Sequence, residues 1–298
     1  MTIEFSEDVH AGLSGLDLET DSFDLGQGIS LTKTYAHLMA PFLMAFKPAP
    51  PGGRHPSPWK AASGGFSFDV NAQLVIPSQI KERYGSQFDV ARTVVFLLRL
   101  WVNPAVTLPV FSNYSFSVLP QISDKEAKLL PFEVQRRHFP LEVSGGTTTA
   151  DGLAWVREHW QVTHELTSES SDFTLAVEAL DSGQFVQNSA LTLVSLWGAL
   201  EALFSPSTSE LRFRVSSLIA AFLEPPGKTR AELQKEIAKL YDMRSAAAHG
   251  KPKHDPQELL SSFNLLRRTL IAMIENRKVP SKDDLEGMLF GSVPNTDS

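Results

Sequence analysis

Hydrophobic and polar positions follow different periods in the two halves of the chain. In the first half, Phe66, Phe68, Val70, Ala72, Leu74 and Ile76 alternate with other residues, the period of a strand with one buried face. Gly28–Leu31, Thr93–Val102 and Tyr114–Leu119 are further β-like runs. Residues 48–58 hold five prolines and two glycines and read as a loop. These signals predict an antiparallel, mostly β, sandwich-like domain over residues 1–147, with no recognisable catalytic set.

From about Ala150 the period changes to that of helices. Ala150–Thr167 reads as a helix within a connector spanning 148–182. A run of helices then fills 183–290, ahead of a disordered tail at 291–298. Leu196–Phe204 is almost wholly apolar and carries one carboxylate, Glu201. Ser207 and Glu210 form a capping box that opens a helix over Leu211–Leu223. Thr229 and Glu232 form a second box, and between Ala231 and Ala248 no Pro or Gly interrupts the good helix formers. In that helix Leu233, Ile237, Leu240, Met243 and Ala247 draw one apolar stripe, Gly250 supplies the C-terminal cap and Pro252 ends it. Asp255, Pro256 and Glu258 open a last helix running to about Arg277. The predicted class is α+β, a mostly β domain followed by an all-α bundle.

The richest chemistry lies in Tyr241-Asp242-Met243-Arg244-Ser245-Ala246-Ala247-Ala248-His249-Gly250. On an ideal helix Arg244 and His249 diverge by about 140°. They converge only if His249 sits at the cap and the long arginine bends across. Tyr241, Arg244, Ser245 and Ala248 share a face distinct from the apolar stripe, and the three alanines leave room for a ligand or a second chain. The alternative is plain capping, since Arg and His at a helix C-terminus complement its dipole.

The order of Trp197, Leu200-Glu201-Ala202-Leu203-Phe204, Glu210 with Arg212, and Tyr241–Ser245 leading to His249-Gly250 resembles the HEPN superfamily of helical-bundle ribonucleases and nucleotide-binding domains. It is most similar to the Apea-like branch, over about 110 residues from Gln184 to roughly Phe290. The family often has Asn, Asp or His directly after the arginine, where this chain has Ser245. The resemblance implies metal-independent RNA cleavage, without cofactors. The ribose 2′-OH attacks the adjacent phosphorus, leaving a 2′,3′-cyclic phosphate and a 5′-OH. It makes His249 the general acid or base, because an imidazole with pKa about 6.5 suits proton transfer near neutrality. Arg244 holds the phosphate, and Ser245 orients it or the histidine. Two alternatives stay open for Tyr241, stacking a base or packing, and two for Glu201, orienting Arg244 or facing solvent. Family habit adds a homodimer with a shared cleft, RNA (tRNA among the candidates) or a nucleotide as partner, and a toxin or phage-defence role. The alternative function is an inactive HEPN module that binds RNA or nucleotide and mediates dimerisation.

Composition narrows this picture. Zero cysteines exclude disulfides and thiolate zinc sites. No run approaches membrane-spanning length, and the N-terminus lacks the layout of a signal peptide. A cytoplasmic protein with no membrane partner is expected. The net charge of −7 disfavours a broad nucleic-acid surface, but it is uneven: residues 1–182 hold 13 Lys+Arg against 21 Asp+Glu, and residues 183–298 hold 14 against 13. Lys251, Lys253 and His254 directly follow the site as candidate phosphate contacts. His159 and His164, five apart, do not share a helical face as metal ligands would, and no metal is expected.

Overall fold

The computed structural model describes residue 5 and residues 7–138, 150–204, 211–248 and 256–291. The chain divides into two compact units. One comprises residues 1–95, 105–135 and 146–154, the other 96–104, 136–145 and 155–298. Among the described residues the fold is mixed α/β, with one antiparallel sheet in the N-terminal half and helices concentrated in the C-terminal half.

In the sheet unit, β1 (Val9–Ser14), β2 (Ser22–Gly26), β3 (Ile29–Ala45), β4 (Trp59–Ile76), β5 (Thr107–Ser112) and β6 (Leu129–Pro131) stand in the order β2-β3-β4-β1-β5-β6. Val70, Ala72, Leu74 and Ile76 are buried as the alternation predicts. Gln73 between them is buried too, because β4 lies between β3 and β1. Its amide donates to Thr32 Oγ1 (3.0 Å) and Ser115 Oγ (2.9 Å) and accepts from the Phe116 N–H (3.1 Å). Gly12 of β1 is required by close approach, since a Cβ there would lie 2.8 Å from the Phe116 ring.

Three expectations for this half are corrected. Among the described residues the architecture is one sheet rather than a sandwich: after one turn of helix, α1 (Lys81–Tyr84), the layer against it is α2 (Gln87–Leu97). Phe88 of α2 meets Phe111 of β5 edge-on at 4.7 Å, and the Gln87 amide donates to the Ile76 carbonyl at 2.8 Å. Thr93–Val102 is helical, because α2 continues into a π-helical turn over Leu98–Val102. Nearly all of that run is buried, and a run buried all round carries no period to separate helix from strand. Tyr114–Leu119 is a turn, in which the Ser115 carbonyl accepts from Val118 and Leu119.

The helical unit holds α3 (Ala150–Glu169) from Trp155 onward, α4 (Ser171–Ser182), α5 (Ser189–Phe204), α6 (Leu211–Leu223), α7 (Lys228–Ala248), α8 (Pro256–Glu275) and α9 (Lys282–Phe290). Helix α5 is central and packs against α4, α6, α7 and α8, which is why its sequence is apolar almost all round. Helix α6 occupies the predicted span. Helix α7 begins ahead of the predicted cap: its first turn closes on the Gly227 carbonyl, so Thr229 lies inside the helix. Arg230, in the same turn, donates to the Ala221 and Glu224 carbonyls, satisfying the end of α6. Ser281 and Asp284 form the capping box that starts α9. The boxes at Ser207/Glu210 and Asp255, and the stop at Gly250 and Pro252, lie outside the described residues.

Candidate functional site

The side of α7 that turns into the bundle is not the predicted stripe. Ile237, Ala238 and Tyr241 are buried, whereas Leu233, Leu240 and Met243 are only half-buried. The latter three, with Ile237, line a groove of about 690 Å³ between α7 and α8. The sequence pattern erred because it counted Tyr241 and Arg244 as polar. Inside the bundle their polar atoms have a partner.

That partner is Glu201 of α5. Its Oε1 accepts from the Tyr241 hydroxyl at 2.7 Å, and its Oε2 accepts from Arg244 Nη2 at 3.1 Å. Side-chain exposure is 19% for Glu201 and 23% for Arg244, so Glu201 faces the arginine rather than solvent. The Arg244 guanidinium also sits 5.5 Å from the Tyr241 ring centroid, a cation–π distance. Tyr241 meets Trp197 edge-on at 5.2 Å, and the Trp197 indole donates to Ser262 Oγ of α8 at 3.1 Å. Side chains from α5, α7 and α8 therefore fix one another around the arginine. Tyr241 takes the packing alternative, being buried against Trp197.

Burial, the hydrogen bond to Glu201 and the negative charge of that carboxylate push the Tyr241 phenol up to about 12. The phenol stays a neutral donor across the physiological range. Arg244 Nε is buried and meets no acceptor among the described residues. A buried N–H without an acceptor costs about 1–3 kcal/mol, and a phosphate oxygen is an acceptor of the missing kind.

On the outer side of α7, Asp242 takes a two-pronged ion pair from Arg212 of α6, with Nε–Oδ1 and Nη2–Oδ2 both 2.7 Å. Each partner is more than half exposed, so the pair aligns α6 with α7 more than it stabilises them. His249, Lys251, Lys253, His254 and Glu210 lie outside the described residues, as does the side chain of Ser245. The convergence of Arg244 with His249 belongs to that part. His159 is a buried core residue, its Nδ1 2.7 Å from the Trp155 carbonyl oxygen and its ring stacked on Trp155 at 4.3 Å. Among the described residues no cluster of three or more metal-ligating side chains occurs.

Sequence reasoning missed Trp197–Ser262 and the polar pocket of the sheet unit. The latter, about 420 Å³, is lined by Glu7, Asp8, His10, Asn113, Tyr114 and Ser115 among others. Burial holds the His10 imidazole below the usual histidine range, outweighing the opposite pull of Asp8. No signal in the sequence links these residues, which come from distant segments. Compared with known proteins, the chain matches no family model, no curated protein and no solved structure.

Proposed function

We propose that the protein is a metal-independent RNA endonuclease of HEPN type. The observation that carries this reading is the Arg244 guanidinium, held by Glu201 and Tyr241 near the end of α7, its Nε meeting no acceptor among the described residues. Arg244 takes the scissile phosphate in its remaining donors. His249 removes the 2′-OH proton, O2′ forms a bond to phosphorus, and the bond from phosphorus to O5′ breaks. O5′ leaves with a proton, from the histidine of either protomer, and a 2′,3′-cyclic phosphate remains. Arg244 stabilises the charge that develops on the non-bridging oxygens. Half-buried Leu233, Leu240 and Met243 along the α7–α8 groove support a homodimer next to this site.

One observation favours a second reading. Glu201 offsets part of the arginine's charge, which suits a catalytically silent module that holds RNA or a nucleotide and mediates dimerisation. Incubating the purified protein with total RNA and labelled tRNA in EDTA separates the two. Cleavage with cyclic-phosphate ends, lost by about 10²-fold or more in His249→Ala and Arg244→Ala, marks the enzyme. Binding without product marks the module. Full activity in either variant removes this site from consideration.

A further inference from the structure

We infer that the β3–β4 hairpin of the sheet unit is a membrane-docking arm whose tip enters the surface of an anionic phospholipid bilayer. The inference is independent of the RNA-cleavage reading and rests on other residues.

The arm is long and, past its base, has no third strand beside it among the described residues. β2 pairs with β3 only as far as Thr32, and β1 pairs with β4 only as far as Ala72. Beyond them Ala36–Ala45 pairs, among the described residues, with Trp59–Val70 alone, a two-stranded ribbon roughly 30 Å long at about 3.3 Å per residue. Ala36 and Leu38 at its base pack on Val70, Val110 and Phe116. Past that point Met39 is 70% exposed, Phe42, Leu43 and Phe46 are each 57%, Met44 is 56% and Trp59 is 50%. Together they present on the order of 700 Å² of apolar surface, taking ~200 Å² for each large side chain. That is slightly above what a monomer ordinarily exposes, and such patches mark interaction sites.

Four features select a lipid surface over a protein partner. First, alternation fails at the tip: Phe42, Leu43 and Met44 are consecutive and all exposed, so both faces of the ribbon are apolar. A wedge apolar on both faces suits insertion, whereas a protein groove covers one face. Second, strand pairing with another chain is obstructed. Pro41 lies on the ribbon, and Gly64 and Gly65 carry φ of 116° and 118° in a bulge where a Cβ on Gly65 would lie 2.4 Å from the Ala40 carbonyl oxygen.

Third, the tip is depleted of N–H groups that would have to be desolvated. Pro48, Pro50, Pro51, Pro56 and Pro58 have none, the Gly53 N–H donates to the Pro50 carbonyl, and the Trp59 indole donates to the His55 and Pro56 carbonyls at 3.1 Å. Fourth, residues 38–68 contain Lys47, Arg54 and Lys60 and no Asp or Glu, a charge of +3 in a chain of −7, and the arm's one carboxylate, Asp69, lies at its base, 2.7 Å from His37. Those cations border the apolar side chains as they do in interfacial membrane anchors, where anionic headgroups attract them. Docking of this kind needs no spanning segment, and that lack was the ground for expecting no membrane partner.

Flotation of the full chain with vesicles tests this. Wild type is expected to float with phosphatidylglycerol–phosphatidylcholine vesicles and not with pure phosphatidylcholine. Reversing the charges (Lys47→Glu, Arg54→Glu, Lys60→Glu) is expected to weaken binding by about 100-fold or more, and Phe42→Ser with Leu43→Ser and Phe46→Ser by at least as much. All six positions lie on the exposed arm, and an unchanged circular dichroism spectrum verifies the fold. Quenching of tryptophan fluorescence by brominated lipid is expected in wild type and reduced in Trp59→Phe. No flotation with anionic vesicles overturns the inference, as does binding that survives charge reversal. If the apolar variant instead converts a dimer to a monomer in light scattering while wild type ignores vesicles, the arm is a contact between copies and the lipid assignment is wrong.

Discussion

The Glu201–Arg244–Tyr241 cluster and the β3–β4 arm invert each other. In the helical unit, charge is drawn inward: a carboxylate on the most apolar helix is about four-fifths buried because a guanidinium and a phenol share it. In the sheet unit, apolar side chains are driven outward on a ribbon that no third strand covers among the described residues. Each arrangement runs against the ordinary partition of side chains, and each costs stability unless something offsets it. For the cluster the offset is internal and visible in three mutual contacts. For the arm it is external, which is why the arm speaks of a partner and the cluster of a prepared site.

This contrast predicts that changes in the cluster lower the stability of the helical unit, whereas changes on the arm act only within the arm. The largest effect is expected for Glu201→Leu, which strands Arg244 and Tyr241 together. A fully buried pair broken this way loses 3–5 kcal/mol, and partial exposure here reduces that to roughly 2–4 kcal/mol, read by urea unfolding. A loss below half a unit would mean that the cluster is an incidental surface pair.

Next comes Gly65→Val, at about 1–3 kcal/mol, because an L side chain at φ 118° is strained and its Cβ meets the Ala40 carbonyl. The damage should be confined to the arm, so new protease cuts between Met39 and Phe68 are expected while the helices stay protected. Protection of the arm in this variant would show the bend to be dispensable.

Tyr241→Phe is expected to cost about 1 kcal/mol near neutrality, one hydrogen bond to a charged acceptor less the phenol's desolvation. Its pH signature is sharper. The folded phenol titrates at about 12 against an ordinary 10.0, so the folded state holds its proton more tightly than the unfolded one. The associated stability is whole below pH 10 and is lost as pH rises from there to 12. Tyr241 should resist ionisation until about pH 12 in an ultraviolet titration, and Tyr241→Phe should remove that late-ionising component. The smallest effect is expected at the arm: Leu43→Ser should shift the unfolding midpoint by less than about 0.5 kcal/mol. A loss of several times that would place Leu43 in a core.

Legibility in the sequence tracked how each element is buried. Leu211–Leu223 and Ala150–Thr167 were readable because helix formers and period agree. The alternation over Phe66–Ile76 was readable because one face of β4 goes inward. Thr93–Val102 was misread because burial on all sides erases the period, and β1, β2 and β5 were missed as short strands of five or six residues. At the candidate site, Arg244 and Tyr241 stood out by motif, and Glu201 as a lone carboxylate in an apolar helix. Its direction was undecided at that level, and so was the buried face of α7.

By itself, the sequence determined the mixed class of the fold, the helical character of the second half and the residue types around Arg244. These depend on local propensity and on patterns a few residues long, which the chain carries wherever it is placed. The tertiary structure alone decided that Glu201 takes Arg244 and Tyr241, that Tyr241 rather than Leu240 faces the interior, and that the arm outruns its neighbouring strands. These depend on partners 40 or 43 positions away for Glu201 and on where β1 and β2 stop pairing. A side chain's solvation depends on the groups that surround it in space, and those groups come from other segments of the chain.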